Sequence, residues 1–281
     1  EGVEIINPSK SPKFDEYVTA YYAMRQRKGA TRFDAERQMA THNIFGMMMV
    51  QRGDADGLIS GLTQHYPDTV RPAIQIIGTR EGVRKVAGLY MMIFKNRTIF
   101  IADATVNIEP TAEDLAEIAL LTAEKVKQFN IVPKIAMLSF SSFGGTNHPL
   151  AAKVQKALAL VKARAPHLAI DGEMQADAAV SPEILAELFP FSPLQGGANV
   201  LICPDLTSAN IAYKLLKCLS DAVAVGPILM GIKKPVYLLV PGNDVNDIVN
   251  ITAMAVCESQ RLREEKLEAK EHAFELPVHA E

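Results

Sequence analysis

An α/β fold with a largely parallel sheet is what the sequence predicts, and three features predict it. From about residue 134 onwards, apolar runs of strand length alternate with helical patterns. Several runs, such as Lys134–Phe140 and Asn199–Cys203, are nearly continuous in apolar residues, as strands covered on both faces are. Val86–Phe94 and Thr98–Ala102 flank Lys95-Asn96-Arg97 and read as a hairpin, which adds an antiparallel element.

The elements follow in order. Phe14, Tyr17, Val18, Tyr21 and Met24 recur at helical spacing, and a basic turn from Arg25 to Gly29 ends that helix. Thr31 caps a second helix running towards Met49. Asp54–Gly61 is a short strand edged by glycines. Thr111, with Glu113 and Asp114 in the first turn, starts a helix through about Phe129. Strands are then expected at Lys134–Phe140, Leu168–Asp171, Asn199–Cys203 and, last, Val236–Leu239. Helices are expected at Pro149–Ala165, Pro182–Leu188, Ile211–Leu219 and Asp244–Ala269, the last heavily charged beyond Gln260. Met47-Met48-Met49 reads as core.

Composition narrows the function classes. A net charge of −3 gives no bulk attraction to nucleic acid. The longest apolar runs are far too short to span a membrane, and no signal peptide opens the chain. Cys203, Cys218 and Cys257 are unclustered, which argues against a disulfide scaffold or a zinc site, and the histidines show no paired-ligand spacing. No metal site is expected, and the cytoplasm is the expected location. The chain opens on Glu1 rather than Met and is expected to be a piece of a longer polypeptide.

Candidate site residues lie where loops leave strands. Ser139–Thr146 (SFSSFGGT) follows a strand and reads either as a set of hydroxyl and N–H donors for an anion or as a plain connector. Asp205 and Asn210 either hold loop geometry or touch a ligand. Arg25, Arg27, Lys28 and Arg71 are the cation candidates, or else surface charges. Arginine suits phosphate through its planar fork, and in VRP the proline after Arg71 is expected to fix the local backbone. His65 is a candidate polar contact. The segment GPILMGIKKPVYLLVPGNDVNDIV, residues 226–249, has the layout of a ligand loop. Yet Val240 and Pro241 occupy its chemical positions, and neither side chain can act as base, nucleophile or donor.

Taken as an ordered series, the blocks DADGLISG (54–61), TVRPAIQII (69–77), KIAMLSFS (134–141), AIDGEMQADAA (169–179), VLICPDLTSANIAYKL (200–215) and AVGPILMGIKKPV, followed by DIVN, resemble the phosphotransacetylase family over nearly the whole chain. The departures GLTQHYP, SFSSFGG and LLVPG resemble the carboxy-terminal phosphotransacetylase-like domain of large bacterial NADP-dependent malic enzymes. The resemblance implies a two-domain fold like the isocitrate and isopropylmalate dehydrogenases, with a cleft between domains. Residues 1–82 plus 227–281 would form the first domain. Residues 83–226 would form the second, through which a dimer is expected.

The resemblance also implies roles. Arg25 and Arg71 match arginines of the coenzyme A and phosphate cleft, and Asp247 matches an acidic residue near the last loop. The family's Ser-Arg pair is replaced by Val240-Pro241 before Gly242, and its His-Thr/Ser stretch by Gln64-His65-Tyr66. Ser139, Ser141, Gly144 and Thr146, with Val240, Pro241, Gly242 and Asp247, would line the acetyl end of bound acetyl-CoA. Gln64, His65, Tyr66, Asp205 and Asn210 would lie in the cleft.

Three functions follow from the resemblance. One is a non-catalytic domain that binds acetyl-CoA as effector and organises a homodimer or larger homo-oligomer. Its partner would be an amino-terminal malic enzyme domain of the same polypeptide, absent here, carrying NADP and a divalent metal (Mg or Mn). The second is a surviving phosphate acetyltransferase using Asp247 with His65. The third is a purely structural dimerisation module.

Overall fold

A computed structural model of the chain describes residues 2–274, with the side chains of 266 and 269–274 left aside. In chain order it contains α1 (Phe14–Arg25), α2 (Arg32–Met39), α3 (His42–Arg52), β1 (Leu58–Ser60), α4 (Tyr66–Ile76), β2 (Ala87–Ile93), β3 (Thr98–Ala102), α5 (Ala112–Gln128), β4 (Lys134–Leu138), α6 (Pro149–Arg164), β5 (Ala169–Met174), α7 (Ala176–Val180), α8 (Pro182–Leu188), β6 (Val200–Ile202), α9 (Leu206–Leu219), β7 (Val223–Met230), β8 (Val236–Leu238) and α10 (Val245–Phe274). Contacts divide these into two units, 1–78 with 232–281 and 79–231. Pro227, where the sequence reading placed a domain limit, lies inside β7.

The second unit is built on a six-stranded sheet in the order β5-β4-β6-β3-β2-β7. The pairs β5–β4, β4–β6 and β6–β3 are parallel, whereas β2 runs antiparallel to both β3 and β7, so the sheet is mixed. The hairpin forms as expected, and Phe94 N–H closes its turn on the Arg97 carbonyl at 2.9 Å. β7 is the strand missing from the sequence reading: Gly226-Pro227 reads as a break, yet Ala224–Met230 are all buried. One face of the sheet buries Tyr90, Met92, Ile99, Ile101, Leu138 and Leu201 against Leu185 of α8 and Tyr213 of α9. Tyr213 stacks on Tyr90 with ring centroids 4.0 Å apart. On the other face Phe100 stacks with Phe129, which closes α5. Thr111 and Asp114 complete the capping box that starts α5. Asp103, only 2% exposed, holds the exit of β3 by accepting from the main-chain N–H groups of Gly88, Thr105, Val106 and Asn107.

The first unit packs α1–α4 and α10 around a two-stranded parallel sheet of β1 and β8. The single helix expected from Thr31 to Met49 is two helices. Thr41 sits between them in extended conformation as the N-cap residue of α3, and its hydroxyl donates to the Gln38 carbonyl. Met47 and Met48 are fully buried. α4 was not read from the sequence because Pro67 and Pro72 both look like breakers. Pro67 lies in the first turn, where a missing N–H costs nothing, and Pro72 is accommodated inside the helix. α9 begins five residues before the expected start, at Leu206, because Asp205 caps it. Beyond Gln260 the described surface of α10 is largely exposed, and there Arg263 forms a solvated ion pair with Asp56.

β1 and β8 meet most closely at Gly61 (φ 111°), where a Cβ would stand 2.1 Å from the Leu239 carbonyl oxygen. Gly53 has a similar left-handed backbone (φ 88°) but faces open space. Gly61→Ala is therefore expected to cost about 2 kcal/mol or more and Gly53→Ala about 1 kcal/mol, as measured by urea denaturation of the two variants.

Candidate functional site

Parallel neighbours release their following loops at the same edge, and β1 and β8 do so here. Leu239 N–H donates to the Ser60 carbonyl at 2.7 Å, and Leu62 N–H to the Leu239 carbonyl at 3.3 Å. Gln64-His65-Tyr66 and Val240-Pro241-Gly242 therefore leave adjacent strands. Under the first loop runs a polar network absent from the sequence reading. The Ser60 hydroxyl donates to Asn43 Oδ1 at 2.7 Å, and Gln64 Oε1 accepts from Asn43 Nδ2 and the Thr69 hydroxyl at 3.4 and 3.5 Å. Asn43 and Thr69 are buried, so Gln64 holds the loop down from within. A buried asparagine on an otherwise apolar helix was the available signal. His65 is exposed at the N-cap position of α4 and makes no side-chain cap bond.

Arg71 is exposed on α4, in helical conformation, with Pro72 following it inside the same helix. Arg25 ends α1 and is half-buried. Neither arginine takes part in an ion pair among the described residues, so both guanidinium groups are available to an external anion.

The last loop is satisfied internally. Val240 N–H donates to Asn243 Oδ1 at 2.7 Å, and Asn243 N–H donates back to the Val240 carbonyl at 3.1 Å. Asp247, matched in the sequence to a family acid, works here as a capping residue. Its Oδ2 accepts from Asn243 Nδ2 at 2.8 Å and Asp244 N–H at 3.1 Å, while its own N–H donates to Asp244 Oδ1 at 2.8 Å. This reciprocal pair starts α10. Pro241 and Gly242 are exposed and add no acid, base or side-chain donor.

In the second unit the Ser139–Thr146 loop leaves β4 and folds over the end of β5. The donors expected to meet an external anion meet Glu173 instead. Gly144 N–H donates to Glu173 Oε1 at 2.7 Å and the Ser141 hydroxyl to the same oxygen at 3.3 Å. Thr146 N–H donates to Ser141 Oγ at 3.0 Å. Ser139 Oγ accepts the Ser141 N–H at 3.5 Å. Ser141 and Gly144 thus shape the loop. Glu173 was not singled out from the sequence, because the strand was expected to end at Asp171 whereas β5 runs on to Met174. Asp205 caps α9 by accepting Ser208 N–H at 2.8 Å, and Asn210 Nδ2 reaches the Ala104 carbonyl at 3.5 Å, so both hold loop geometry.

Residues 1–256 match the family described as phosphate acetyl/butaryl transferase. The chain belongs to that family. It is 43% identical over 259 residues to an NADP-dependent malic enzyme of Salmonella typhimurium, covering 92% of this chain and 34% of that protein. It is also 40% identical over 258 residues to a phosphate acetyltransferase of Bacillus subtilis, covering 80% of that protein. Among solved structures, a phosphotransacetylase from Streptococcus pyogenes aligns with a TM-score of 0.87 at 41% identity, over 93% of this chain and 80% of that one. The EutD phosphotransacetylase from Staphylococcus aureus aligns at 0.80 and 36%, over 92% and 79%. The chain thus spans about a third of the length of the malic enzymes it matches.

Within this family member, two cavities of the first unit lie away from the loops just described. One of about 580 Å³ is lined by Asp56, Gly57, Ile59, Val256 and Arg263, and one of about 540 Å³ by Ile5, Lys13, Tyr17 and Met49. Among the described residues no three His, Cys, Asp or Glu side chains converge as a metal set, and no helix is long and apolar enough to cross a membrane. Cys203, at the end of β6, is buried. Burial first, then the nearby charges of Asp205 and Asp103, push its thiol up to about 12. The thiolate is the reactive form, so at neutral pH maleimide is expected to modify the exposed Cys218 and Cys257 and to reach Cys203 only after denaturation. Mass spectrometry of native and unfolded protein, giving two and three adducts, checks this.

Proposed function

We propose that this chain is an acetyl-CoA-binding domain that has kept the family's fold without its reaction. The observation that carries the reading is the loop after β8. Val240 and Pro241 bring no proton-transferring group, and the two carboxylates of this loop, Asp244 and Asp247, already serve as acceptors within it. Acyl transfer from coenzyme A to phosphate needs a thiol proton removed and charge stabilised at the carbonyl. Loss of a single oxyanion donor costs about 100- to 1000-fold in rate, and both functions are missing here. Arg25 and Arg71, free of ion pairs, would take coenzyme phosphates. In the first unit Val240–Gly242 would face the acetyl group; in the second, Ser139 and Thr146 stand as candidate ligand contacts.

The match to one third of the malic enzymes extends the proposal to the parent polypeptide. There, the domain would assemble a homo-oligomer and, on binding acetyl-CoA, inhibit a fused domain that oxidatively decarboxylates malate with NADP and a divalent metal. Inhibition requires acetyl-CoA to bind one conformation of the assembly more tightly than another. A second reading, a working phosphate acetyltransferase, is favoured by the 40–41% identity to proteins of that name.

Two measurements decide between them. Calorimetry is expected to show acetyl-CoA binding that Arg71→Ala weakens about tenfold, roughly 1.4 kcal/mol. No binding at millimolar acetyl-CoA would leave only a structural dimerisation role. In a coupled assay, acetyl phosphate formation is expected to stay at background. Turnover at an enzyme-like rate that Asp247→Asn abolishes would establish the second reading.

A further inference from the structure

We propose that Glu173 is the positioning residue of the Ser139–Thr146 loop, an internal anion around which the loop's inward donors are folded. Glu173 is 1% exposed, yet among the described residues no cation pairs with it. Its carboxylate oxygen Oε1 instead takes the Gly144 N–H and the Ser141 hydroxyl, at 2.7 and 3.3 Å. Its main-chain carbonyl takes Phe143 N–H at 2.8 Å. Ser141, itself 4% exposed, passes the linkage on by accepting Thr146 N–H at 3.0 Å. One side chain therefore reaches, directly or through one hydroxyl, positions 141, 144 and 146.

The height of the carboxylate is fixed as well. At Gly172 a Cβ would stand 2.6 Å from the Met137 carbonyl oxygen, so β5 lies pressed against β4 just before Glu173 and just below the loop. A buried carboxylate is stable only while its hydrogen bonds are made, and bonds to a charged acceptor are about twice as strong as neutral ones. Loop and carboxylate thus hold each other. The Thr146 hydroxyl, which makes no hydrogen bond among the described residues, is left for a ligand. That last step rests on the ligand reading of the loop given above.

Glu173→Ala and Glu173→Gln test the proposal in the full chain, by amide hydrogen exchange across residues 141–146 and by acetyl-CoA calorimetry, each with and without added formate. In Glu173→Ala, exchange at Gly144 and Thr146 is expected to rise about tenfold, and acetyl-CoA affinity to fall. Formate, a carboxylate small enough to enter the vacated space, is expected to reverse both. Glu173→Gln keeps an acceptor oxygen and is expected to give a smaller acceleration. Unchanged exchange in either variant overturns the proposal, as does an accelerated loop in Glu173→Ala that formate fails to slow. Should Glu173→Ala not fold, Glu173→Gln decides alone through the Gly144 amide. If the unsubstituted protein binds no acetyl-CoA while exchange and formate rescue behave as stated, the role of Glu173 stands and the acetyl-CoA reading falls.

Discussion

Leu58–Ser60 and Val236–Leu238 lie at opposite ends of the sequence, with the whole second unit between them, and their parallel pairing is what makes a site in the first unit conceivable. Each strand is only three residues long, so the register cannot slip without losing the ladder. The bonds that extend it, Leu239 to Ser60 and Leu62 to Leu239, already belong to the loops. The glycine at position 61 allows this approach. The same ladder that holds the unit's sheet together therefore aligns the Gln64–Tyr66 and Val240–Gly242 segments.

Carboxylates near the candidate loops share one use. Asp103 gathers four main-chain N–H groups, Asp205 caps α9, Asp247 caps α10, and Glu173 holds the loop after β4. A main-chain N–H withdrawn from water must be paired, and a carboxylate is a strong partner for it. Acids committed in this way are poorly placed to move protons, since taking up a proton weakens the bonds that fix the loop. The two candidate arginines show the opposite pattern: among the described residues neither Arg25 nor Arg71 has an ion-pair partner.

Local chemistry made much of the fold legible. Thr31 and Thr111 announce capped helices because Ser and Thr hydroxyls satisfy the first N–H groups, and both caps form with their acidic partners. The hairpin follows from two apolar runs flanking the polar turn Lys95-Asn96-Arg97. What stayed hidden depends on tertiary context. Pro72 lies within α4 and Gly226-Pro227 within β7, because packing overrides the breaker signal that each residue carries alone. At the candidate site, the residue types at Val240 and Pro241 were readable, since inert side chains stay inert wherever they sit. The commitment of Asp247 and Glu173 to their own loops was not, because it depends on which main-chain donors come within 3 Å.

β7 forms one border of the six-stranded sheet, and bare borders invite strands from other molecules, but Ala224–Met230 are buried, so this border is covered. Its register with β2 shifts between Leu89 and Met91, near Gly226-Pro227, and Pro227 has no N–H to offer. The residues that hid this strand from a linear reading therefore lie on an edge that the fold itself already shields from edge-to-edge pairing.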